Sequence, residues 1–546
     1  MSQRPSTEAR IPWSTGAPLG RWVARWLSRA MPTENQRVWL LTLLVGALSG
    51  LAAVGFHLSI QLAERFMIEP ALDATGRWWI VLGLVVPVVG GLVSGALLTY
   101  VFPNSRGSGI PQVKVAYSIE GGQLPLRQGI GKFLVSTLQI GTGASLGREG
   151  PTVQICAAIA STIGRAARLS EDSLRRMLPV GAAAGIAAAF NAPIAAVTFT
   201  VEEVVGDLDH TVLAGVVVAA ALAAAIEHVA LGSKPVFDVP TGLGIHHLDS
   251  LLLFLLLGLV AAAVSLAFTE SLLALRMRFR HSPLPIWTRP AVGGLMTGGL
   301  AVAGIGLLGQ RGITGGGYDT LTEALHGGLA WRIMLALCAM KLAATVFSYS
   351  SGMAGGIFAP SLFLGGMVGG AVGTLDVALL GHERSVIGAF ALVGMGAVFA
   401  GIIRAPITSV LIIYEMTGNY RLILPLMMAN MLAFAIARHI RPIPIYEALL
   451  AQDGLHLPHD EPTPHVLDLL TVGDAMTDVP GDNESVDRTL ILSPDQPLHE
   501  ALVAMERSGR YQAVVLDPTP GPDGPQVVGL LTVTGIIRAQ ARALES

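Results

Sequence analysis

The stretch GASLGREGPTVQI, residues 143–155, places the adjacent charges Arg148 and Glu149 among glycines and a proline. The residues that follow, from Gly150 to Gly164, carry no charge. Ionisable side chains are costly inside a bilayer and mark functional positions there by default. The stretch therefore raises the question of why an apolar segment starts with a carboxylate.

The surrounding chain is too apolar for a soluble protein. Of its 546 residues, 52% are hydrophobic and 13% are charged, whereas soluble domains average about 25% charged residues. Several charge-free runs reach the roughly 20 residues that span a bilayer: 38–63, 78–105, 250–269, 290–310 and 385–403. These runs predict a polytopic α-helical membrane protein, and the net charge of −3 favours no nucleic-acid partner.

Other apolar runs are interrupted by glycine and proline. The run 342–375 contains GMAGGIFAP, and the run 177–201 contains FNAP. Non-helical backbone is tolerated at membrane depth only where it is buried in protein or lines a cavity. The interruptions therefore predict broken helices around an interior site.

An internal repeat relates the two halves of this region, about 38–230 and 250–450. Residues 180–202 align without gaps to residues 393–415, with nine of 23 positions identical and a glutamate, Glu202 or Glu415, at the end of each. Repeated halves with broken helices in corresponding places indicate a transporter-type substrate site.

Three glycine-rich pentapeptides are predicted to begin half-helices: GSGIP (107–111), GREGP (147–151) and GIFAP (356–360). Glycine permits close backbone approach, and proline is tolerated in a first helical turn. The first N–H groups of a helix lack intrahelical partners and lie at the positive end of its dipole. One such pentapeptide is more typical of a tight turn, but three at related positions favour an anion site built from helix starts, with a hydroxyl from Ser108.

Two acidic positions fit a proton role at such a site. Glu149 at a helix start can occupy the place of an anion and leave when protonated, which would make it gate and proton carrier together. The alternative is a loop carboxylate paired with Arg148. Glu202 and Glu203 end another apolar run, where they form either a solvated helix end or a proton entry point.

Together with Tyr446 in IPIYEALL, the three pentapeptides resemble the signature of the CLC chloride channels and transporters, in order and spacing, over residues 38–450. The resemblance implies a CLC-type inverted repeat with broken helices, and a homodimer in the lipid bilayer with one pore per subunit. It also implies chloride as the transported anion, because Ser108 in GSGIP resembles the chloride-selective members.

The family's residue roles carry over by position. Ser108 and Tyr446 would face chloride from the cytoplasmic side, and the N–H groups of Ile357 and Phe358 would bind the central ion. Glu149 would be the gating and proton residue, and Glu203 the internal proton-transfer residue. The backbone of the external anion site would come from Gly147, Arg148 and Gly150.

These roles predict coupled chloride/proton antiport, with a passive voltage- or proton-gated chloride channel of the same fold as the alternative. We expect no enzyme activity, no catalytic or metal-binding residue and no required cofactor. A membrane hydrolase with Ser108 as nucleophile would need a histidine partner, and His57 has no second supporting group.

The two ends of the chain differ from the apolar region. Residues 1–37 are basic, and the positive-inside rule predicts that this segment is cytoplasmic. A linker is predicted at 451–464, and residues 465–546 resemble a small α/β CBS domain in one copy, expected to pair with its twin in the homodimer. CBS domains often bind adenine nucleotides, but Gly535 replaces the aspartate of the T-x-x-D pattern. The expected location is a bacterial inner membrane with both termini cytoplasmic.

Overall fold

The computed structural model describes residues 34–206, 210–232, 239, 249–457, 470–477, 490–508, 510–521 and 524–545. The chain divides into two compact units, 1–457 and 458–546. Most of the basic N-terminal segment, and the second half of the predicted linker, lie outside the described residues.

The first half of the larger unit contains nine helices: α1 (Glu34–Phe66), α2 (Ile68–Leu72), α3 (Trp78–Ala96), α4 (Ile110–Ser118), α5 (Leu126–Gly141), α6 (Glu149–Ala166), α7 (Glu171–Phe190), α8 (Pro193–Phe199) and α9 (His210–Leu231), counted among the described residues. A π-helical turn, Thr200–Val205, continues α8.

The second half follows with α10 (Ser250–His281), α11 (Arg289–Ala303), α12 (Tyr318–Leu325), α13 (Trp331–Ser350), α14 (Phe358–Leu380), α15 (Ser385–Ile403), α16 (Pro406–Thr417), α17 (Ile423–Ile440) and α18 (Ile445–Gln452). Two further π-helical turns, Leu97–Val101 and Gly304–Leu308, continue α3 and α11.

The predicted membrane spans are confirmed as helices. Within the described part of the chain, nine helical segments are long and apolar enough to cross a membrane. The charge-free runs lie largely in α1, α3, α10, α11 and α15. Both predicted breaks are also present, because α13 ends at Ser350 before α14 begins at Phe358, and α7 ends at Phe190 before α8 begins at Pro193.

Within the core of the larger unit, α14 and α15 cross closely. A methyl group added to Gly394 would lie 2.8 Å from the Cα atom of Gly369 and 3.0 Å from its nitrogen. Small residues let membrane helices approach backbone to backbone. The helix that begins in GIFAP is thereby packed closely against the next helix.

The sequence repeat corresponds to a reciprocal pair of helix caps. The carboxylate of Glu415, at the end of the second repeat, accepts hydrogen bonds from the N–H groups of Ile194 and Ala195 at 3.0 and 2.7 Å. Glu202, at the end of the first repeat, accepts from Ile407 and Thr408 at 3.1 and 2.8 Å. Each repeat therefore satisfies the helix start of the other.

The smaller unit is an α/β arrangement. Its elements are α19 (Val472–Ala475), β1 (Ile491–Leu492), α20 (Leu498–Ser508), β2 (Gln512–Gly521), β3 (Gly524–Thr532) and α21 (Val533–Glu545). The sheet has the order β1-β2-β3, with β1 parallel and β3 antiparallel to β2. Val515, Leu531 and Ile536 lie in its apolar core.

Candidate anion and proton site

The three glycine-rich pentapeptides meet at one place through backbone hydrogen bonds. The N–H of Gly107 donates to Met353 O at 3.1 Å, and the N–H of Gly355 donates to Gly107 O at 3.0 Å. Gly147 and Gly356 exchange two such bonds, at 2.8 and 2.7 Å. The starts of α4, α6 and α14 therefore converge, as the sequence predicts for an anion site.

Two glycines in these pentapeptides have no room for a side chain. A Cβ atom on Gly150 would lie 2.7 Å from Ser108 O, and one on Gly109 would lie 2.7 Å from Gly150 O. Gly109 also has φ 104°, which disfavours other residues. The glycines let the starts of α4 and α6 touch backbone to backbone.

The α14 side of the site has an apolar wall. Ile357 and Phe358 begin α14, so their N–H groups belong to a first turn without intrahelical partners. The ring of Phe358 packs on Phe190, Phe199 and Phe399 with centroid distances of 6.1, 5.2 and 5.0 Å. Backbone N–H groups against apolar rings favour an anion bound by dipoles rather than by a fixed cation.

Two buried hydroxyl groups at this site lack hydrogen-bond partners among the described residues. They are Ser108 Oγ, which lies near the Tyr349 hydroxyl, and Tyr446 Oη. An unsatisfied buried polar group costs about 1–3 kcal/mol. The Tyr446 hydroxyl interacts electrostatically with both Glu149 and Glu203. Hydroxyl donors of this kind fit a bound anion, which accepts hydrogen bonds.

Glu149 is fully buried as the first residue of α6. Its Oε1 atom accepts a hydrogen bond from the hydroxyl of Tyr318, whereas Oε2 has no partner among the described residues. The predicted alternative, a pair with Arg148, is not adopted, because Arg148 donates instead to Ala189 O at 3.4 Å. Gly147 and Arg148 immediately precede Glu149 at the same helix start.

The adjacent carboxylates Glu202 and Glu203 have different partners. Both belong to the π-helical turn after α8. Glu202 caps α16 and also accepts from Thr408 Oγ1 at 2.6 Å. Glu203 is buried and pairs with Lys114 Nζ at 2.8 Å. Only Glu203 is directed toward α4, and the alternative of a solvated helix end for both is therefore wrong.

Sequence reasoning missed three residues around the site. Tyr318 follows the glycine run GITGGG, Lys114 lies three residues after GSGIP, and the fully buried Lys132 donates to Gly107 O at 2.8 Å. Charged residues in apolar segments were a usable signal for the two lysines, since such residues mark pathways and pairs. A tyrosine after a glycine run carries no comparable signal.

A cavity of about 510 Å³ adjoins the GSGIP loop. Gly107 and Tyr349 are among its lining residues. Its remaining lining is rich in charge, with Arg106, Arg276, Arg280 and Arg289 set against Glu120 and Asp453. An excess of positive charge in a cleft raises the local concentration of anions.

In the smaller unit, the structure gives no carboxylate at the position of the T-x-x-D aspartate. The N–H of Gly535 donates to Thr532 Oγ1 at 3.1 Å, and a Cβ atom on Gly535 would lie 2.5 Å from Ala475 O. Gly535 thus packs on the backbone of α19, and the residues present do not fit a ribose contact there.

Comparison with known proteins places the larger unit in a family. The profile of the family described as "Voltage gated chloride channel" matches residues 90–438. A protein named "chloride channel protein ClcB-like" from Ralstonia nicotianae is 33% identical over 432 residues, covering 76% of this chain and 97% of its own. The "H(+)/Cl(-) exchange transporter ClcA" of Vibrio campbellii is 33% identical over 438 residues, covering 78% and 92%.

Solved structures share the fold. A slow cyanobacterial Cl-/H+ antiporter has a TM-score of 0.70 at 26% identity, covering 76% of this chain and 98% of its own. A eukaryotic CLC transporter has a TM-score of 0.65 at 19% identity, covering 91% and 97%. With the converging helix starts, the family match and these relatives, the chain belongs to the CLC family of chloride channels and transporters.

Proposed function

We propose that this protein is a chloride/proton antiporter, moving chloride and protons in opposite directions across the membrane. One observation carries the proposal: a fully buried carboxylate, Glu149, stands where three helix starts converge beside the unpartnered hydroxyls of Ser108 and Tyr446. The relatives named as exchangers support the same activity.

Chloride would be held by dipoles and hydroxyl groups. The N–H groups of Ile357 and Phe358 would bind the central ion, and Ser108 with Tyr446 would face it from the cavity side. Gly147, Arg148 and Gly150 would contribute backbone to the external site. Binding without a lysine or arginine in contact keeps the ion exchangeable, because no buried charge pair has to be broken on release.

Protons would use Glu149 and Glu203 in turn. An ionised Glu149 competes with chloride for the helix start, since both are favoured by the same dipole. A protonated Glu149 loses that attraction and leaves with its proton. Glu203, which pairs with Lys114, would exchange the proton with the cell interior.

We propose that the protein lies in the cell membrane with both termini in the cytoplasm. Membrane location is supported by the nine apolar helices within the described residues and by bacterial relatives. The orientation is supported by the basic segment 1–37, because positive charge is retained on the cytoplasmic side. The arginine-rich cavity would then be the cytoplasmic entrance.

A homodimer is proposed as the functional form. The starts of α8 and α16, related by the repeat, present Ile194 and Ile407 with about half of each side chain exposed. On α17, Leu424, Met427 and Met431 are also exposed. An apolar surface with this internal symmetry fits a self-complementary contact between two copies.

We further propose that residues 465–546 form a CBS domain that pairs with its twin and does not hold ribose through Gly535. Analytical ultracentrifugation of the compact fragment 458–546 tests the pairing. We expect a monomer–dimer equilibrium, and a strict monomer at high concentration would contradict it. Added adenosine triphosphate should leave the equilibrium unchanged.

The transport proposal is tested with purified protein in liposomes, with chloride and proton movement recorded separately. A chloride gradient alone should drive protons against their own gradient. In Glu149→Gln, coupling should be lost because an amide cannot carry the proton, whereas Glu203→Gln should lose proton movement and keep chloride flux. General acid–base groups typically contribute about 10²-fold or more, so the loss should be large.

Two results would contradict the proposal. Chloride flux in the wild type without proton movement would favour the passive channel. Intact coupling in Glu203→Gln would exclude Glu203 as the internal proton residue. Glu323→Gln, an exposed carboxylate on α12, is the matched control and should behave as the wild type.

A further inference from the structure

Glu203 belongs to a cluster of three buried or partly buried charges. The ammonium group of Lys114 lies 2.8 Å from Glu203 Oε1 and 3.4 Å from Glu447 Oε1. The three side chains come from α4, the π-helical turn and α18. None of them is shared with the helix cap formed by Glu202.

The three side chains differ in the fraction that is exposed to solvent. The side chain of Glu203 is 4% exposed, that of Lys114 is 10% exposed, and that of Glu447 is 20% exposed. Glu447 is also the residue directly after Tyr446 on α18. The cluster therefore runs from the partly exposed Glu447 through Lys114 to the buried Glu203.

The charges of the cluster favour the uptake of one proton. Lys114 contacts two carboxylates at once, so its single positive charge is shared between Glu203 and Glu447, and an unbalanced charge at a buried place is costly. Among the described residues, the other ionisable groups that face Glu203 are Glu202 on its own turn and the Tyr446 hydroxyl. Neither supplies a positive charge to Glu203, so a proton on Glu203 lowers the negative charge there.

Resting on the proposed antiport function, we propose that Glu447 and Lys114 form the cytoplasmic proton relay to Glu203. A proton from water binds to the Glu447 carboxylate. Lys114 then gives an N–H proton to Glu203, forming an O–H bond there, and the resulting amine takes the proton of Glu447. The lysine ends as it began, and one proton has moved from the exposed to the buried carboxylate.

Three substitutions in the full-length protein test the relay, with chloride and proton fluxes recorded separately in liposomes. Glu447→Gln should lower proton flux on the order of tenfold or more while chloride flux stays within about twofold of wild type. Glu447→Asp, which keeps the carboxylate, should restore proton flux. Lys114→Arg keeps the positive charge but cannot give up a proton, so it should also lose proton flux.

Three other outcomes would each contradict the relay. Full proton flux in Glu447→Gln, or in Lys114→Arg, would overturn the relay while the antiport proposal stands. An equal loss of both fluxes in Glu447→Gln without rescue by aspartate would show that Glu447 only maintains the fold. Wild-type chloride flux without any proton movement would overturn the relay and the antiport proposal together.

Discussion

At the residue scale, the hydrogen bond from Tyr318 to Glu149 bears on the proposed gate. The tyrosine donates to one carboxylate oxygen of the residue that we propose leaves its place for chloride to pass. Hydrogen bonds to charged groups contribute about 1.5–3 kcal/mol. In the proposed mechanism, this bond would stabilise Glu149 in the closed position.

We therefore expect Tyr318→Phe to raise the chloride turnover, by about tenfold or more, because a hydrogen bond to the ionised gate is removed. Proton coupling should persist, since Glu149 still carries the proton. Parallel chloride and proton fluxes in liposomes measure both quantities. Tyr100→Phe, at an exposed tyrosine, is the control, and an unchanged or slower turnover in Tyr318→Phe would exclude a holding role for this tyrosine.

The sequence predicts the meeting of the three pentapeptides better than the partners of Glu149 and Glu203. Glycine and proline at helix starts act through the backbone, so their positions are readable from local pattern alone. Tyr318 and Glu447 act through contacts with residues more than 160 positions away. No local pattern specifies such partners, which is why they were not foreseen.

At the scale of elements, the π-helical turn separates the roles of two neighbouring carboxylates. π-helical turns commonly occur at functional sites. Here Glu202 is directed to the start of α16 and Glu203 to Lys114 on α4. Adjacent residues thus have different roles, one structural and one proposed for transport.

Removal of either cap should destabilise the protein. In Glu202→Ala and Glu415→Ala, two backbone N–H groups at a helix start lose their acceptor, which should cost about 1–3 kcal/mol each. The apparent melting temperature of the detergent-solubilised protein measures the loss. Glu323→Ala is the control, and melting temperatures equal to wild type would exclude a capping role.

Helix breaks are predictable at this scale, and their purpose is not. Glycine and proline locate the ends of α7 and α13, because neither residue continues a helix well. The repeat also gave Glu202 and Glu415 as equivalent positions. That each would cap the other half requires knowledge of the inverted packing, which a sequence alignment does not contain.

At the scale of the whole molecule, the cavity beside GSGIP and the candidate anion site differ in the groups they offer to chloride. Among the described residues, four arginines line the cavity, whereas the proposed chloride contacts are N–H groups and hydroxyls. Positive charge at an entrance accelerates the arrival of anions, and salt screens the effect.

Arg289→Gln should accordingly slow chloride uptake about twofold or more at low ionic strength and have little effect at high ionic strength. Initial rates in liposomes at two concentrations of an impermeant salt measure the difference. Arg332→Gln, at an exposed arginine that does not line the cavity, is the control. A loss of rate that is independent of salt would contradict attraction by charge.

The overall class of the molecule follows from composition, since length and apolar content dictate a polytopic helical protein. The inverted arrangement follows in part from the repeat. The cavity could not be predicted, because its arginines come from separate segments that only the complete fold brings together.

The reciprocal caps also bear on how the protein is made. The first N–H groups of α8 have Glu415 as their hydrogen-bond acceptor, and Glu415 is synthesised about 220 residues later. Until then, the helix that leads into the turn with Glu203 begins with N–H groups that lack this acceptor. Nearly the whole membrane region must therefore be synthesised before the earlier half can reach its final shape. A truncated chain would carry all the residues of that half and still lack the capped helix start that precedes the proposed proton residue Glu203.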